Sequence, residues 1–412
     1  MERLIIAGAG MAAAQLLKEL VQLPVTYDIQ LIGAEPHPGY NRILLSSLLA
    51  GEKTTADLGL MEDDWYARHG ISVFTGETVT SVDVKGRKLF TSTGRTAHYD
   101  RLVIATGSRP FVPPVPGLTG SGVMVFRSQA DLHAIRQAAS TAATTGSNAV
   151  VIGGGLLGLE AACGLRKLGV VVTVVNREDR LMPRQLDRTA GEVLQHSLGR
   201  QGIEFRLGAE PRQILRTAEV VAGIELSTGE RLSCSMVLVT AGIVPECAMA
   251  RVSGIPCKRG ILVNERLETD IGNIYALGEC CEINGLTFGL VAPVYEQARV
   301  LARVLNHDRK ATYIHKEVST QLKVAGISVV SAGQLPFVAD SRSQIVLDRV
   351  NGIYRRLVYS REKLAGYVLV GDSLHNAMYE DLLEQDQILS RAGPEIMFGQ
   401  NNSVAEPQRV AA

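Results

Sequence analysis

Short apolar runs that end in glycine recur along the chain, and each leads into either a helical or an extended pattern of apolar and polar positions. The first run, RLIIA at residues 3–7, enters GAGMAAAQLLKEL, where apolar residues return at the spacing of one helix face. YDIQLIGAE at residues 27–35 is a second extended run that ends in an acid. Strand, glycine turn, helix and strand make a βαβ unit. The same order returns about 145 residues later, in NAVVIGGGLLGLEAACGLRKLG (148–169) followed by VVVTVVNRE (170–178). One unit used twice at that separation is not a solenoid repeat. It predicts two dinucleotide-binding domains in one chain.

Between and after them the pattern changes. YDRLVIATGSRP (99–110) reads as a strand running into a glycine turn, and FVPPVPG (111–117) as a proline-rich crossing segment. GIELSTGERL reads as a hairpin, and MVLVTAG as a buried strand closing on Gly242. Residues 274–279 form another strand-to-turn, and VAPVYEQARVLARVL (291–305) a helix with proline near its start. From residue 312 strands dominate: LKVAGISVVSAG, SQIVLDRV, YRRLVYS and KLAGYVLVG, closed by a helix over NAMYEDLLEQDQILSR. The reading is α/β: two Rossmann-like domains plus a smaller α+β C-terminal domain. The boundaries expected are 1–116 with 241–311, 117–240, 312–392, and a polar flexible tail over 393–412.

Composition narrows the functional classes. The chain has 412 residues, 46% hydrophobic and 20% charged, with 41 glycines that suit tight turns between buried strands. Lys and Arg balance Asp and Glu at 42 each, so nothing favours a nucleic-acid partner. No apolar run is long enough to span a bilayer, and MERLIIAGAG reads as a strand and not a signal peptide, so a cytoplasmic location is expected. The six cysteines, 163, 234, 247, 257, 280 and 281, form no CxxC pair and lie near no histidine at zinc spacing. They are read as reduced packing residues, with no metal site.

The glycine turns carry the chemistry. GAGMAA fits GxGxxA. Gly8 permits the tight turn, Gly10 lets backbone approach a pyrophosphate at the helix N-terminus, and Ala13 takes the small packing position. Glu35 stands 25 residues beyond Gly10, where a carboxylate can accept ribose hydroxyls. GGGLLG fits GxGxxG through Gly153, Gly155 and Gly158. Asn176, 18 residues past Gly158, stands where an NAD site often has an acid, and Arg177 follows. Without the acid an arginine could take a 2′-phosphate, yet Glu178 could equally serve NAD, so NADH and NADPH both stay open.

At this point the chain resembles the flavoprotein reductases with two dinucleotide-binding domains. The resemblance rests on YDRLVIATGSRP, on TDIGNIYALGE and on Glu160 just past the second glycine motif. It implies FAD, contacted by Thr106, Gly107, Gly278 and Glu279, with Glu279 where most of that superfamily has Asp. It implies NADH or NADPH as electron donor and Glu160 near the flavin and nicotinamide rings. The helix near Pro293 would point its positive end at the flavin. A narrower resemblance rests on YNRILLSSLL (40–49), MPRQLD (182–187), GECCEI, GLVAPVYEQA (289–298) and LKVAGISVVSAG (322–333). It is to the FAD portion of the NAD(P)H nitrite reductase large subunit and the electron-transfer subunit of assimilatory nitrate reductase. By that likeness Arg42 contacts the cofactor, Cys280 packs beside it, and Cys281 has no assigned role.

The departures matter as much. Disulfide reductases of the superfamily carry a cysteine in the segment matching 40–49, and this chain has none there. Rubredoxin and ferredoxin reductases often carry a lysine near the position of Ser47. No cysteine-rich or sirohaem module is present, so the flavin is expected to be the only redox centre and nitrite reduction is not expected of this chain alone. The expected partner is a nitrate reductase catalytic subunit or another iron–sulfur or molybdenum redox protein. A homodimer through the third domain is a further expectation of the family. The alternatives are a rubredoxin- or ferredoxin-type reductase, and a flavin-bound sensor or scaffold without turnover.

Overall fold

The structure is a computed structural model that describes residues 1–24, 27–316, 319–324, 326–333, 341–385 and 394–398. Its contacts divide the chain into two compact bodies. The first comprises Met1–Leu48, Glu52–Phe111 and Gly242–Lys316, and the second Leu49–Gly51, Val112–Ala241 and the described residues beyond 316.

The first body is built on a five-stranded parallel sheet. Its order is Ser72–Thr75, Asp28–Gly33, Arg3–Ala7, Arg101–Ile104 and Ile274–Ala276. Leu4 to Ala7 are all buried, as are Leu102 to Ile104, because a parallel strand covered on both faces has no wet side. Helix Met11–Leu20 buries Ala13, Leu16, Leu17 and Leu20 and packs against helix Val291–Leu305. The three-stranded antiparallel sheet of Val79–Asp83, Lys88–Thr91 and Thr96–His98 belongs to the same body. So does the ribbon that pairs Ser108–Pro110 with Ile243–Pro245.

The second body repeats the plan. Its parallel sheet runs Ile203–Leu207, Val171–Asn176, Asn148–Ile152, Met236–Val239 and Val123–Val125. Helix Gln129–Thr145 begins at a capping box of Ser128 and Asp131. A five-stranded antiparallel sheet completes this body, in the order Thr320–Val324, Ile327–Gly333, Lys363–Val370, Ile353–Ser360 and Arg342–Asp348. Helix Asn376–Glu384 packs on it. Residues 386–391, expected to continue that helix, lie outside the described residues, as do 393 and 399–412 of the tail expected over 393–412. Within that tail Pro394–Met397 is instead a short helix whose Ile396 and Met397 are buried against this sheet.

Asp187 ties the antiparallel sheet to helix Arg188–Gly199 of the same body. It caps helix Arg188–Gly199 by accepting from the Ala190 amide at 2.9 Å. Its Oδ2 also accepts from the Tyr354 hydroxyl at 2.7 Å and from Arg356 Nη1 at 3.0 Å. One carboxylate therefore serves a helix end and two side chains of strand Ile353–Ser360 at once. Among the described residues no helix is long and apolar enough to cross a membrane.

Candidate functional site

The glycine turns hold three glycine-type positions with three different reasons. Gly8 has φ +116° and Gly153 φ +122°, a region that side chains avoid. A Cβ at Gly8 would lie 2.1 Å from the Ala105 carbonyl oxygen, and one at Gly153 would lie 2.6 Å from that of Thr240. These glycines are required by the fold. The third position is a matter of packing. Ala13 fits fully buried, whereas a Cβ at Gly158 would sit 2.0 Å from the Gly153 carbonyl oxygen.

The middle position differs. Gly10 has φ −88° and ψ −167°, and Gly155 φ −87° and ψ −176°, extended backbone that any residue adopts. Apart from the adjacent residues of the chain, no protein atom lies within 4 Å of a Cβ built at either one. Neither conformation nor packing asks for glycine there. Each position is the N-cap of a helix, Met11–Leu20 or Leu156–Lys167, with backbone amides at its N-terminus. Open space, bare backbone and a helix N-terminus together fit a pyrophosphate.

The first turn has an acid at hand. Glu35 follows strand Asp28–Gly33, accepts from the Tyr40 hydroxyl at 2.8 Å, and is ion-paired with Arg42. Elsewhere in the same body, Thr106 Oγ1 donates to the Glu246 carbonyl at 2.7 Å and the Glu246 amide donates to the Gly107 carbonyl at 2.9 Å. Gly242, at φ +115°, accepts through its carbonyl from the Phe111 amide at 2.9 Å. Gly278 and Glu279 open a single tight turn, Gly278–Cys280. Gly278 is at φ +84°, and Glu279 accepts from the Ser108 hydroxyl at 2.8 Å. Pro293 is buried in the first turn of helix Val291–Leu305, where its missing N–H leaves nothing unpaired.

Helix Val291–Leu305 also supplies a residue with no role assigned from the sequence. Gln297 is fully buried, and its Oε1 accepts the Gly278 amide at 2.8 Å. Its Nε2 makes no hydrogen bond, although the Tyr313 hydroxyl is a polar neighbour. Ser108 and Gln297 both stand inside family-like motifs of the sequence. Only the fold shows that they hold the turn of Glu279 from two sides.

The second turn is arranged otherwise. Asn176 ends its strand with both ends of its amide engaged. Oδ1 accepts the Gly154 amide at 2.9 Å, and Nδ2 donates to the carbonyls of Glu178 and Arg180 at 3.2 and 2.9 Å. Asn176 thus stitches the glycine turn to the segment after the strand. Arg177 is exposed, with Glu178 at 3.2 Å and Glu210 at 3.7 Å. Glu160 lies half-buried in the second turn of helix Leu156–Lys167.

The pyridine nucleotide-disulphide oxidoreductase family matches residues 2–303, and the rubredoxin NAD+ reductase C-terminal domain matches residues 319–387. The chain belongs to the pyridine nucleotide-disulphide oxidoreductases. It is 39% identical to a nitrite reductase [NAD(P)H] of Bacillus subtilis over 94% of its own length and 48% of the relative's. It is equally 39% identical to an assimilatory nitrate reductase electron transfer subunit of that organism, over 96% of this chain and 51% of the relative. The chain therefore spans about half the length of these curated relatives. Among solved structures, the ferredoxin reductase for the CYP199A2 system of Rhodopseudomonas palustris superposes with a TM-score of 0.83 at 27% identity, over 95% of this chain and 98% of that one.

As a member of this family the chain is an FAD-dependent NAD(P)H oxidoreductase. It lacks a cysteine across residues 40–49, and its six cysteines form no disulfide. Cys280 and Cys281 are fully buried, and burial pushes both thiols up from their ordinary values. Their sulfurs lie 3.2 Å from the carbonyls of Leu277 and Gly278 respectively. Burial likewise pushes Cys163, Cys234 and Cys247 up to about 12. Thiols held protonated in this way are poor nucleophiles. Among the described residues no group of three or more His, Cys, Asp or Glu side chains is placed to hold a metal ion.

Proposed function

We propose that this oxidoreductase is the electron-input component of a nitrate- or nitrite-reducing system, oxidising NAD(P)H and delivering electrons to a separate redox protein. A nitrate reductase catalytic subunit with iron–sulfur or molybdenum centres is the first choice of acceptor, and a nitrite-reducing partner the second. The observation that carries this reading is the 39% identity, over nearly the whole chain, to both a nitrite reductase and a nitrate reductase electron transfer subunit. Supporting it, residues 40–49 offer no thiol for disulfide exchange.

The residues that would hold FAD are those of the first body. The amides after Gly10 would face the pyrophosphate, and Glu35 with Arg42 the adenosine end. Thr106, Gly107, Gly278 and Glu279 would line the remainder, with Ser108 and Gln297 fixing the attitude of Glu279. Bound there, FAD supplies the step that couples two-electron oxidation of NAD(P)H to electron release. The amides after Gly155 would hold the pyrophosphate of the donor nucleotide, and Glu160 would help shape the place where it reacts.

A second reading, a rubredoxin- or ferredoxin-type reductase, is favoured by the match of residues 319–387 to the rubredoxin reductase C-terminal domain. Capture of the tagged chain from its native cells grown on nitrate separates the two. Oxidation of NADH or NADPH by the captured material when nitrate is supplied makes it the input to a nitrate reductase. Oxidation with nitrite makes it the input to a nitrite reductase. Activity with neither, but with artificial dyes, favours the carrier-protein reading.

A further inference from the structure

The two glycine turns are internal copies, and their backbone hydrogen bonds give a residue-by-residue equivalence. The Gly8 amide donates to the Ile32 carbonyl at 2.8 Å, and the Gly153 amide to that of Val175 at 2.8 Å. Ile32 is therefore equivalent to Val175, and Gly33 to Asn176. Two bonds beyond the strand agree. The carbonyls of Gly33 and Asn176 accept from the amides of Glu77 and Ala209 at 2.9 and 3.1 Å. Those of Glu35 and Glu178 accept from the amides of Gly76 and Gly208, both at 3.0 Å. Glu178 thus occupies in the second turn the place that Glu35 occupies in the first.

The position at the strand end is spent on structure in both copies. A Cβ at Gly33 would strike that of Ala9 at 2.5 Å, and one at Gly154 would meet the Asn176 Cγ at 3.0 Å. The first turn has its side chain in the glycine loop and none at the strand end. The second has the reverse arrangement, and Asn176 uses its side chain to hold the loop.

We propose that Glu178, and not Asn176, accepts the adenosine ribose hydroxyls of the donor nucleotide, and that it thereby selects NADH over NADPH. This rests on the reading of the second turn as the donor site. A carboxylate accepts hydrogen bonds from a 2′-hydroxyl, whereas a 2′-phosphate brings no donor and the same sign of charge. Three of the arginines that follow the strand are ion-paired. Arg177 lies against Glu178 and Glu210, and Arg180 and Arg188 lie against Asp179. A phosphate received by any of these three would compete with a carboxylate already in place.

The test is calorimetric titration of the flavin-loaded protein with ADP-ribose and with 2′-phospho-ADP-ribose, alongside kinetics with NADH. ADP-ribose should bind about tenfold more tightly than its 2′-phosphate. Glu178→Gln should collapse that ratio to about threefold or less and raise the KM for NADH, while flavin content stays as in wild type. Asn176→Ala should weaken both probes by the same factor, because it loosens the turn without touching the ribose. Equal or tighter binding of the 2′-phosphate by wild type would overturn the proposal. So would an unchanged ratio in Glu178→Gln, or a ratio altered by Asn176→Ala. A Cβ at Gly155 meets no protein atom beyond its chain neighbours, so loss of both probes in Gly155→Val would uphold the site, and undiminished binding of both would place the failure in the site itself.

Discussion

The first and second glycine turns share a backbone and differ in what surrounds it. Both have a left-handed first glycine and an open second one at a helix N-terminus. The first is bordered by Glu77, a carboxylate only 4% exposed that accepts from Thr91 and Thr93, each at 2.6 Å, and from Arg95 at 2.9 Å. The equivalent residue in the second is Ala209. The first strand end is bare at Gly33, while the second carries the Asn176 stitch. The comparison teaches that the backbone of the turn is imposed by the stereochemistry of its first glycine, whereas the side chains that border the strand end are free to be rebuilt from neighbouring elements.

The largest effect should come from the fold-required glycines. Gly8→Ala and Gly153→Ala each force a Cβ onto a carbonyl oxygen at positive φ, at a cost of roughly 3–5 kcal/mol. Thermal melts of the apoprotein should show it as lost or severely lowered transitions. Gly10→Val and Gly155→Val should leave those melts near wild type. Gly10→Val should instead lose FAD per chain and Gly155→Val should raise the KM for the nicotinamide nucleotide. If all four variants melt alike, the division of the turn into fold-required and ligand-required glycines is wrong.

Next in size is the tie that only the second body has. Asp187→Ala removes a helix cap and leaves Arg356, 18% exposed, without this carboxylate. About 2–3 kcal/mol should be lost. Denaturant titration followed by tyrosine fluorescence should show an earlier transition, and an unchanged midpoint would mean that the tie contributes nothing. Gln297→Leu should cost about 1–3 kcal/mol by leaving the buried Gly278 amide unpaired. Its flavin should dissociate faster on gel filtration, and full retention would remove Gln297 from the support of Glu279.

The smallest effect is the pH dependence that Glu77 contributes to the first body. Burial by itself would raise the Glu77 carboxyl, but hydrogen bonds from Thr91, Thr93 and Arg95 outweigh it and hold the group below its ordinary value. A depressed carboxylate contributes stability above its unfolded value and loses that contribution as pH falls through the folded one. Wild type should therefore lose stability on acidification below the ordinary carboxylate range, and Glu77→Gln should lose less over the same interval. Parallel acid limbs for the two proteins would show that Glu77 contributes no such linkage.

Much of this architecture was legible because it is local. Apolar runs such as RLIIA and NAVVI closing on glycine announce buried parallel strands, and helix Val291–Leu305 begins and ends where its apolar pattern does. Helix Gln129–Thr145 is not announced in that way. Its QAASTAATT stretch is rich in small and polar residues, whose faces differ little in hydropathy. At the site, Glu35 stood out as an acid at the end of an extended run. Ser108, Gln297 and Asp187 did not, since each acts on a residue far away in the chain.

The sequence alone determined that there would be two strand–glycine turn–helix units and which residues form them, because glycine spacing reflects steric limits on a few consecutive residues. It also carried the likeness to the nitrite and nitrate reductase branch. It left Asn176 and Glu178 as rivals for one role, since counting along a chain cannot tell which side chain a turn consumes. Only the tertiary structure decided that the Asn176 amide belongs to its own loop, and that Glu178 stands in register with Glu35. Hydrogen bonds between strands define equivalence in space, and a linear count does not.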